Sequence, residues 1–448
     1  MVETRQTNTS EQSEASDKIG PVRRALRNAG WLLAGKGLGG VFSLIYMGLV
    51  ARSLGVEQFG IFALILAYVQ SIAALAKFES WQTVIRFGAQ HLEANQHSKL
   101  RRVLNFSTFL DIGSALVGAL VGVIGVFIIG PHLGWSHSEQ TIAAYACILL
   151  LFNIRGTPIG ILRLFDRFDI AAGAEAVLPS MRLVGALLAW FIGASVFSYL
   201  LVWVVAELIT AVAIWWAALR ELRLKTPQVQ RGPLFDVTGV RHENERLWSF
   251  AWTTNLDFSL KQVWKHLPVL AVGWWVDAVA AGGFRIASNL VNAVGKPSSV
   301  LAWAIFPELA RLKVTEPDQI GVVVRKISIA SALVGVFALL LTLVFGRQAL
   351  WALGGDGYDF AYVIMILLAV AAAIELCGLT LESAIVALGY PGSILTIRTI
   401  VAATYAVSLT TMVPVFGLYG AAYTAIVATT VLLGLILLKF RSISRSVA

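Results

Sequence analysis

Apolar residues in this chain fall into runs of roughly 20, long enough to cross the hydrocarbon core of a bilayer as helices. Clusters of charge and Gly/Pro breaks separate them. The pattern predicts spans near 29–51, 58–80, 103–130, 141–163, 171–193 and 197–218, then 247–272, 284–306, 327–346, 360–387, 393–413 and 417–438. Residues 1–20 are polar and read as a disordered tail, not a signal peptide. The expected fold class is an all-α polytopic membrane protein with about twelve transmembrane helices.

Composition agrees. Hydrophobic residues make up 57% and charged residues 14%, with a mean hydropathy of +0.75; a soluble domain carries about a quarter charged residues. In a soluble protein the net charge of +9 would suggest a nucleic-acid partner. Here its distribution argues for topology and against nucleic acid. Lys and Arg crowd the N-terminal tail, the segments after spans 2, 4 and 8, the 219–246 loop and the C-terminus, whereas the opposite loops hold only Arg52 and Arg347. Positive residues stay inside, so both termini are expected to be cytoplasmic. Cys147 and Cys377 each lie in an apolar stretch, with no disulfide framework or metal spacing. No cofactor or metal is expected.

The two halves align at a constant offset. Phe59-Gly60-Ile61-Phe62 falls on Ala281-Gly282-Gly283-Phe284, and Phe168 falls on Tyr390. Identity is weak, but span positions repeat. Six spans per half give both halves the same orientation, as in transporters that rock one bundle against the other around a central cavity. The expected organisation is a tail (1–27), a six-helix lobe (28–218), a basic linker (219–246), a second, pseudo-symmetric six-helix lobe (247–440) and a short tail (441–448).

Asn28-Ala29-Gly30-Trp31-Leu32-Leu33, followed by Ala51-Arg52-Ser53-Leu54-Gly55-Val56-Glu57-Gln58-Phe59-Gly60-Ile61-Phe62, resembles the polysaccharide transporter family. This is the O-antigen flippase branch of the multidrug/oligosaccharidyl-lipid/polysaccharide exporter superfamily. The second half carries a degraded copy of the motif at Gly282-Gly283-Phe284. The resemblance implies two lobes in a V. It also implies movement of a polyprenyl-pyrophosphate-linked oligosaccharide between leaflets of a bacterial inner membrane, with polymerases and glycosyltransferases as partners.

Ionisable side chains inside spans are costly and usually face a cavity or a partner. The candidates for a substrate cavity are Lys36, Arg155, Arg182, Lys261, Lys265, Arg285, Asn289, Asn292, Lys296 and Arg398. Arg285, Asn289, Asn292 and Lys296 form one continuous helical stripe, and Asp257, Lys261 and Lys265 share one face. Basic groups there suit a pyrophosphate, and the asparagines suit sugar hydroxyls. The plainer reading is that Asp257 neutralises Lys261 while Arg285 and Lys296 snorkel to the interfaces. Arg182 shares a face with Glu175 and is expected to pair, within its helix or across helices. Arg398 has no nearby acid in its own helix, which favours the cavity. Asp111, Glu175, Glu207, Asp257, Glu375 and Glu382 are candidate counter-ions or coupling sites.

Arg52 and Glu57 are expected to fix the span 1–2 hairpin. Gly35 with Gly39, Gly118 with Gly122, and Gly156 with Gly160 are spaced for close helix packing. Gly30 to Lys36 imitates a phosphate loop, but Gly37 follows and no strand precedes it. A cation-coupled multidrug exporter of the same superfamily is the main rival, although residues 28–53 hold no Asp or Glu. A membrane glycosyltransferase, polymerase or ligase is less favoured, because the outer loops are short and offer little for acid–base or metal chemistry.

Overall fold

The computed structural model describes residues 21–78, 80–149, 154–230, 236–293, 320–387 and 390–447. These are helical almost throughout. In chain order the helices are α1 (Pro21–Ala76), α2 (Ser80–Glu93), α3 (His97–Ile129), α4 (His137–Ile148), α5 (Gly156–Leu164), α6 (Phe168–Ile192) and α7 (Val196–Lys225). A short turn, α8 (Val240–Glu243), leads to α9 (Leu247–Trp275) and α10 (278–293). The remainder are α11 (Ile320–Gly354), α12 (Ala361–Ala387), α13 (Pro391–Phe416) and α14 (Leu418–Val447). Eight stretches among the described residues are long and apolar enough to cross a membrane. The chain is a multi-pass membrane protein.

Among the described residues the predicted spans differ at two places. The first two join as α1, with the reversal between them made at Gly55 (φ 73°, ψ 174°). That backbone conformation is open to glycine and strained for a residue with a Cβ. The fourth span is interrupted: α4 ends at Ile148 and α5 begins at Gly156. The break exposes the backbone N–H groups that open α5, and the Asp111 carboxylate of α3 accepts from Thr157 N (2.8 Å) and Thr157 Oγ1 (2.9 Å). Asp111 thereby caps a helix end that would otherwise lie unsatisfied in a buried setting. Elsewhere Ser136 with Glu139 forms a capping box at the start of α4.

Gly30 to Lys36, the phosphate-loop imitation, lies within α1 and is helical. The spaced glycines mark close approaches: a Cβ on Gly118 would lie 2.5 Å from Ala76 Cβ, and one on Gly160 2.7 Å from Val84 Cβ. Lipid gives helices no hydrophobic reason to associate, so small residues that let backbones approach do much of that work.

The apolar core is not uniform along the molecule. Near the Gly55 turn one continuous core joins residues from both halves of the chain: Phe59, Leu64, Tyr199 and Ala186 with Val272, Phe284, Tyr358 and Ile364. Toward the basic ends the core divides. Leu100, Leu162, Ile214 and Leu222 form a cluster drawn from the first half alone. Val324, Ile385, Ile394 and Ile436 form another from the second half alone. A further cluster seats Leu247 and Ala251, at the start of α9, on Phe87, Val103 and Phe106.

The segment between α7 and α9 is pinned to the first half. Arg102 grips Glu243 through two guanidinium nitrogens and approaches Asp236 at 3.9 Å. Asn105 Nδ2 donates to the Asp236 carbonyl (3.1 Å), and His91 Nε2 lies 2.9 Å from Asn244 Oδ1. Arg102 holds the Glu243 carboxyl below the usual range through this hydrogen bond, burial opposing it.

Candidate functional site

A cluster of cationic side chains occupies the level at which the shared core gives way to separate ones. Its anchor is Glu207 of α7, whose side chain is only 8% exposed. Glu207 Oε2 accepts from Arg155 Nη2 at 2.6 Å, and Oε1 accepts from Arg182 Nη2 at 2.8 Å. Arg155 stands immediately before α5, where the break in the fourth span places it. Arg182 follows Pro179, the proline inside α6, and its guanidinium lies over the Trp203 ring at 5.2 Å. Gly39 of α1 admits that proline closely: a Cβ there would meet Pro179 Cγ at 3.1 Å.

Arg285 of α10 enters from the other half of the chain. Its Nη2 donates to Gln70 Oε1 of α1 at 2.8 Å, an amide that brings no negative charge. Arg285 and Arg182 lie within electrostatic reach of each other, and Tyr46 of α1 faces both. His266 of α9 lies beside Arg285. Tyr199 Oη, which also neighbours Tyr46, meets Ser53 Oγ at 2.6 Å. Arg182 Nε, Arg285 Nε, Trp203 Nε1, Tyr46 Oη and His266 Nδ1 are buried without a hydrogen-bond partner among the described residues. Buried polar atoms are rarely left so. Among the described residues, Arg155 and Arg182 share the Glu207 carboxylate and Arg285 stands near them on a neutral amide, all three guanidiniums charged at any physiological pH.

The predicted residues divide accordingly. Arg155, Arg182 and Arg285 converge. Asn289, one turn beyond Arg285, points its Nδ2 at Met47 Sδ (3.1 Å), and Asn292 is exposed. Lys265 is exposed, and Glu375 of α12 is exposed within electrostatic reach of it. Arg398 does not stand alone: it forms an ion pair with Glu382 of the preceding helix. Its own helix offered no acid, and the partner became visible only when α12 was laid beside α13. Arg182 pairs across helices with Glu207. The side chains of Lys36, Glu175, Asp257 and Lys261, and the whole of Lys296, lie outside the described residues.

Arg52, expected to fix the span 1–2 hairpin, reaches the second half of the chain. Its Nη2 donates to the Trp351 carbonyl of α11 at 2.7 Å, and its guanidinium sits 5.2 Å from that ring's centroid. Tyr46, Gln70, Trp203 and His266 were not singled out from the sequence. Gln70 had a signal, a lone amide in an apolar run, whereas the aromatic groups read as ordinary span residues.

A chain with many membrane-crossing helices thus gathers arginines from several of them around a buried glutamate. Residues 25–313 match the model of a family described as polysaccharide biosynthesis protein, and the chain belongs to that family. It is 29% identical over 345 residues to the inner membrane protein YghQ of Escherichia coli (strain K12), covering 77% of this chain and 96% of that one. Among solved structures it is similar to an inward-facing multidrug resistance MATE family transporter (TM-score 0.69, 13% identity, 91% and 96% covered). It is also similar to the lipid II flippase MurJ in an inward closed conformation (TM-score 0.66, 12% identity, 92% and 87% covered). Both likenesses are of the fold.

Proposed function

We propose that this protein is a flippase carrying a polyprenyl-pyrophosphate-linked oligosaccharide from the cytoplasmic to the periplasmic leaflet of a bacterial inner membrane. The observation that carries the reading is the excess of guanidinium over carboxylate at Arg155, Arg182, Arg285 and Glu207. A site with net positive charge and unpartnered donors suits an anion. A pyrophosphate crossing hydrocarbon must replace its hydration shell or face a prohibitive transfer cost, and forked guanidiniums match phosphate oxygens best.

The split core supplies the route. In this reading two lobes, fused near the Gly55 turn and joined also where α9 starts on the first half, flank a cleft open on the side where the donor lipid is made. Both termini are cytoplasmic in this reading. The sugar and pyrophosphate enter the cleft, past Lys265 and Glu375, while the polyprenyl tail stays in lipid. Rocking of one lobe against the other then opens the opposite face. Net chemistry on the substrate is not required, so the protein acts as a carrier alongside the glycosyltransferases and polymerases that make and consume its cargo. The drug-exporter reading is disfavoured by the absence of Asp or Glu from 28–53.

The test is leaflet-resolved movement of a pyrophosphate-linked oligosaccharide in proteoliposomes, comparing the intact protein with Arg285→Ala. Movement should fall at least about tenfold, the worth of one lost charge-assisted hydrogen bond, with insertion and thermal stability retained. Unchanged movement in the variant returns Arg285 to a structural role with Gln70. Failure of the intact protein across several sugar donors, together with cation-driven dye efflux, overturns the flippase reading in favour of drug export.

A further inference from the structure

Glu207 sits where an anionic ligand would go. Its two oxygens occupy one N–H each on Arg155 and Arg182, in the arrangement a phosphate would use. The carboxylate is drawn from α7, the cations from the start of α5 and from α6, so each approaches on its own backbone. The cluster keeps donors in reserve: among the described residues Arg182 Nε remains without a partner, and so do Trp203 Nε1 beneath it and Tyr46 Oη facing it.

Resting on the anion-carrier reading above, we propose that Glu207 is an exchangeable counter-ion. It neutralises Arg155 and Arg182 while the carrier is empty and yields Arg182 when a diphosphate arrives. Two consequences follow from electrostatics alone. First, an empty carrier with three bare guanidiniums would hold a costly buried charge excess; one shared carboxylate reduces that excess without abolishing it. Second, a ligand must outcompete a carboxylate already in place. A monophosphate, with one phosphoryl group, gains little by that exchange, whereas a diphosphate, with more charge and more acceptor oxygens, can engage Arg182 and Arg285 together. Glu207 therefore sets a threshold that selects diphosphate over monophosphate headgroups, with weaker binding for both. The weaker binding also favours release on the far side of the membrane.

The experiment is binding of geranylgeranyl diphosphate and geranylgeranyl monophosphate to the full chain in detergent, comparing the intact protein with Glu207→Gln. Glutamine keeps the shape and one acceptor but removes the competing charge. Diphosphate Kd is expected to fall about tenfold, as one charge-assisted hydrogen bond is freed, and monophosphate Kd by more, so that discrimination narrows. A folded Glu207→Gln protein with unaltered Kd values and discrimination overturns the proposal and makes Glu207 a strut between helices. Should that variant fail to fold, Glu207→Asp keeps the charge on a shorter arm that reaches one arginine. It is expected to move both Kd values in the same direction, and unchanged values there overturn the proposal equally. If the intact protein binds neither lipid phosphate, the anion-carrier reading falls and takes the proposal with it. Binding that persists in the intact protein but ignores residue 207 sinks only the proposal.

Discussion

Gly60 is the sharpest point at which to perturb the closed end of the V. The repeat maps it onto Gly282, and in the folded chain these two positions touch: a Cβ on Gly282 would stand 3.0 Å from Gly60 Cα. A Cβ on Gly60 itself would lie 2.1 Å from the Ala278 carbonyl oxygen and 2.5 Å from its carbon. An ordinary carbon–oxygen contact is about 3.3 Å, so Gly60→Ala forces the two backbones apart by roughly an ångström. Overpacking of this kind costs about 1–3 kcal/mol. Set against closure of this end, it shifts the closed-to-open ratio by about 5- to 150-fold. A pair of lobes closed about 99% of the time would fall to about three-quarters closed under a 2 kcal/mol penalty. The assay uses Val56→Cys with Gly357→Cys, in a background lacking Cys147 and Cys377. A Cβ at 357 lies 3.8 Å from Val56 Cβ, the mean separation in a disulfide. Oxidant should cross-link this pair readily in the parent and several-fold more slowly with Gly60→Ala. Equal rates in the two backgrounds, with both proteins folded, would refute the claim that this glycine contact closes the lobes.

Three further outcomes are expected. Arg52→Ala removes a hydrogen bond to the Trp351 carbonyl and the stacking on its ring, together worth about 1–2 kcal/mol; the same cross-link between positions 56 and 357 reports it as slower closure. Asp111→Ala leaves Thr157 N–H and hydroxyl without their acceptor at the start of α5 and should lower stability by about 1–3 kcal/mol, read as a lower Tm in detergent. The linker responds to acid: because Arg102 lowers the Glu243 pKa, its contribution is complete above the ordinary carboxylate value of about 4.3 and disappears as pH falls through the lowered value. Proteolysis of the 226–246 segment should therefore be flat from pH 7 to 5 and rise only below about 4, while Glu243→Gln should raise it from pH 7 to 5 and converge with the parent at the acid end.

Much of this protein was written in one dimension. Lipid admits helices because each satisfies its own backbone, so runs of apolar residues name the spans without reference to neighbours. Arg155, Arg182 and Arg285 announced themselves because a charge inside an apolar run is costly wherever it ends up. What those charges do was decided only in three dimensions. Arg398 had no acid in its own helix and found Glu382 on another; Arg182 met Glu207, not a residue of its own turn sequence; Arg52 left its hairpin for Trp351. Spacing along a helix specifies a face, yet whether that face meets a carboxylate, an amide such as Gln70 or open space depends on how helices far apart in sequence are set side by side. The break before α5 was equally hidden, since its stability comes from Asp111, supplied by another helix. Pairing between elements is a property of packing, and packing is where the charge excess of the site was fixed.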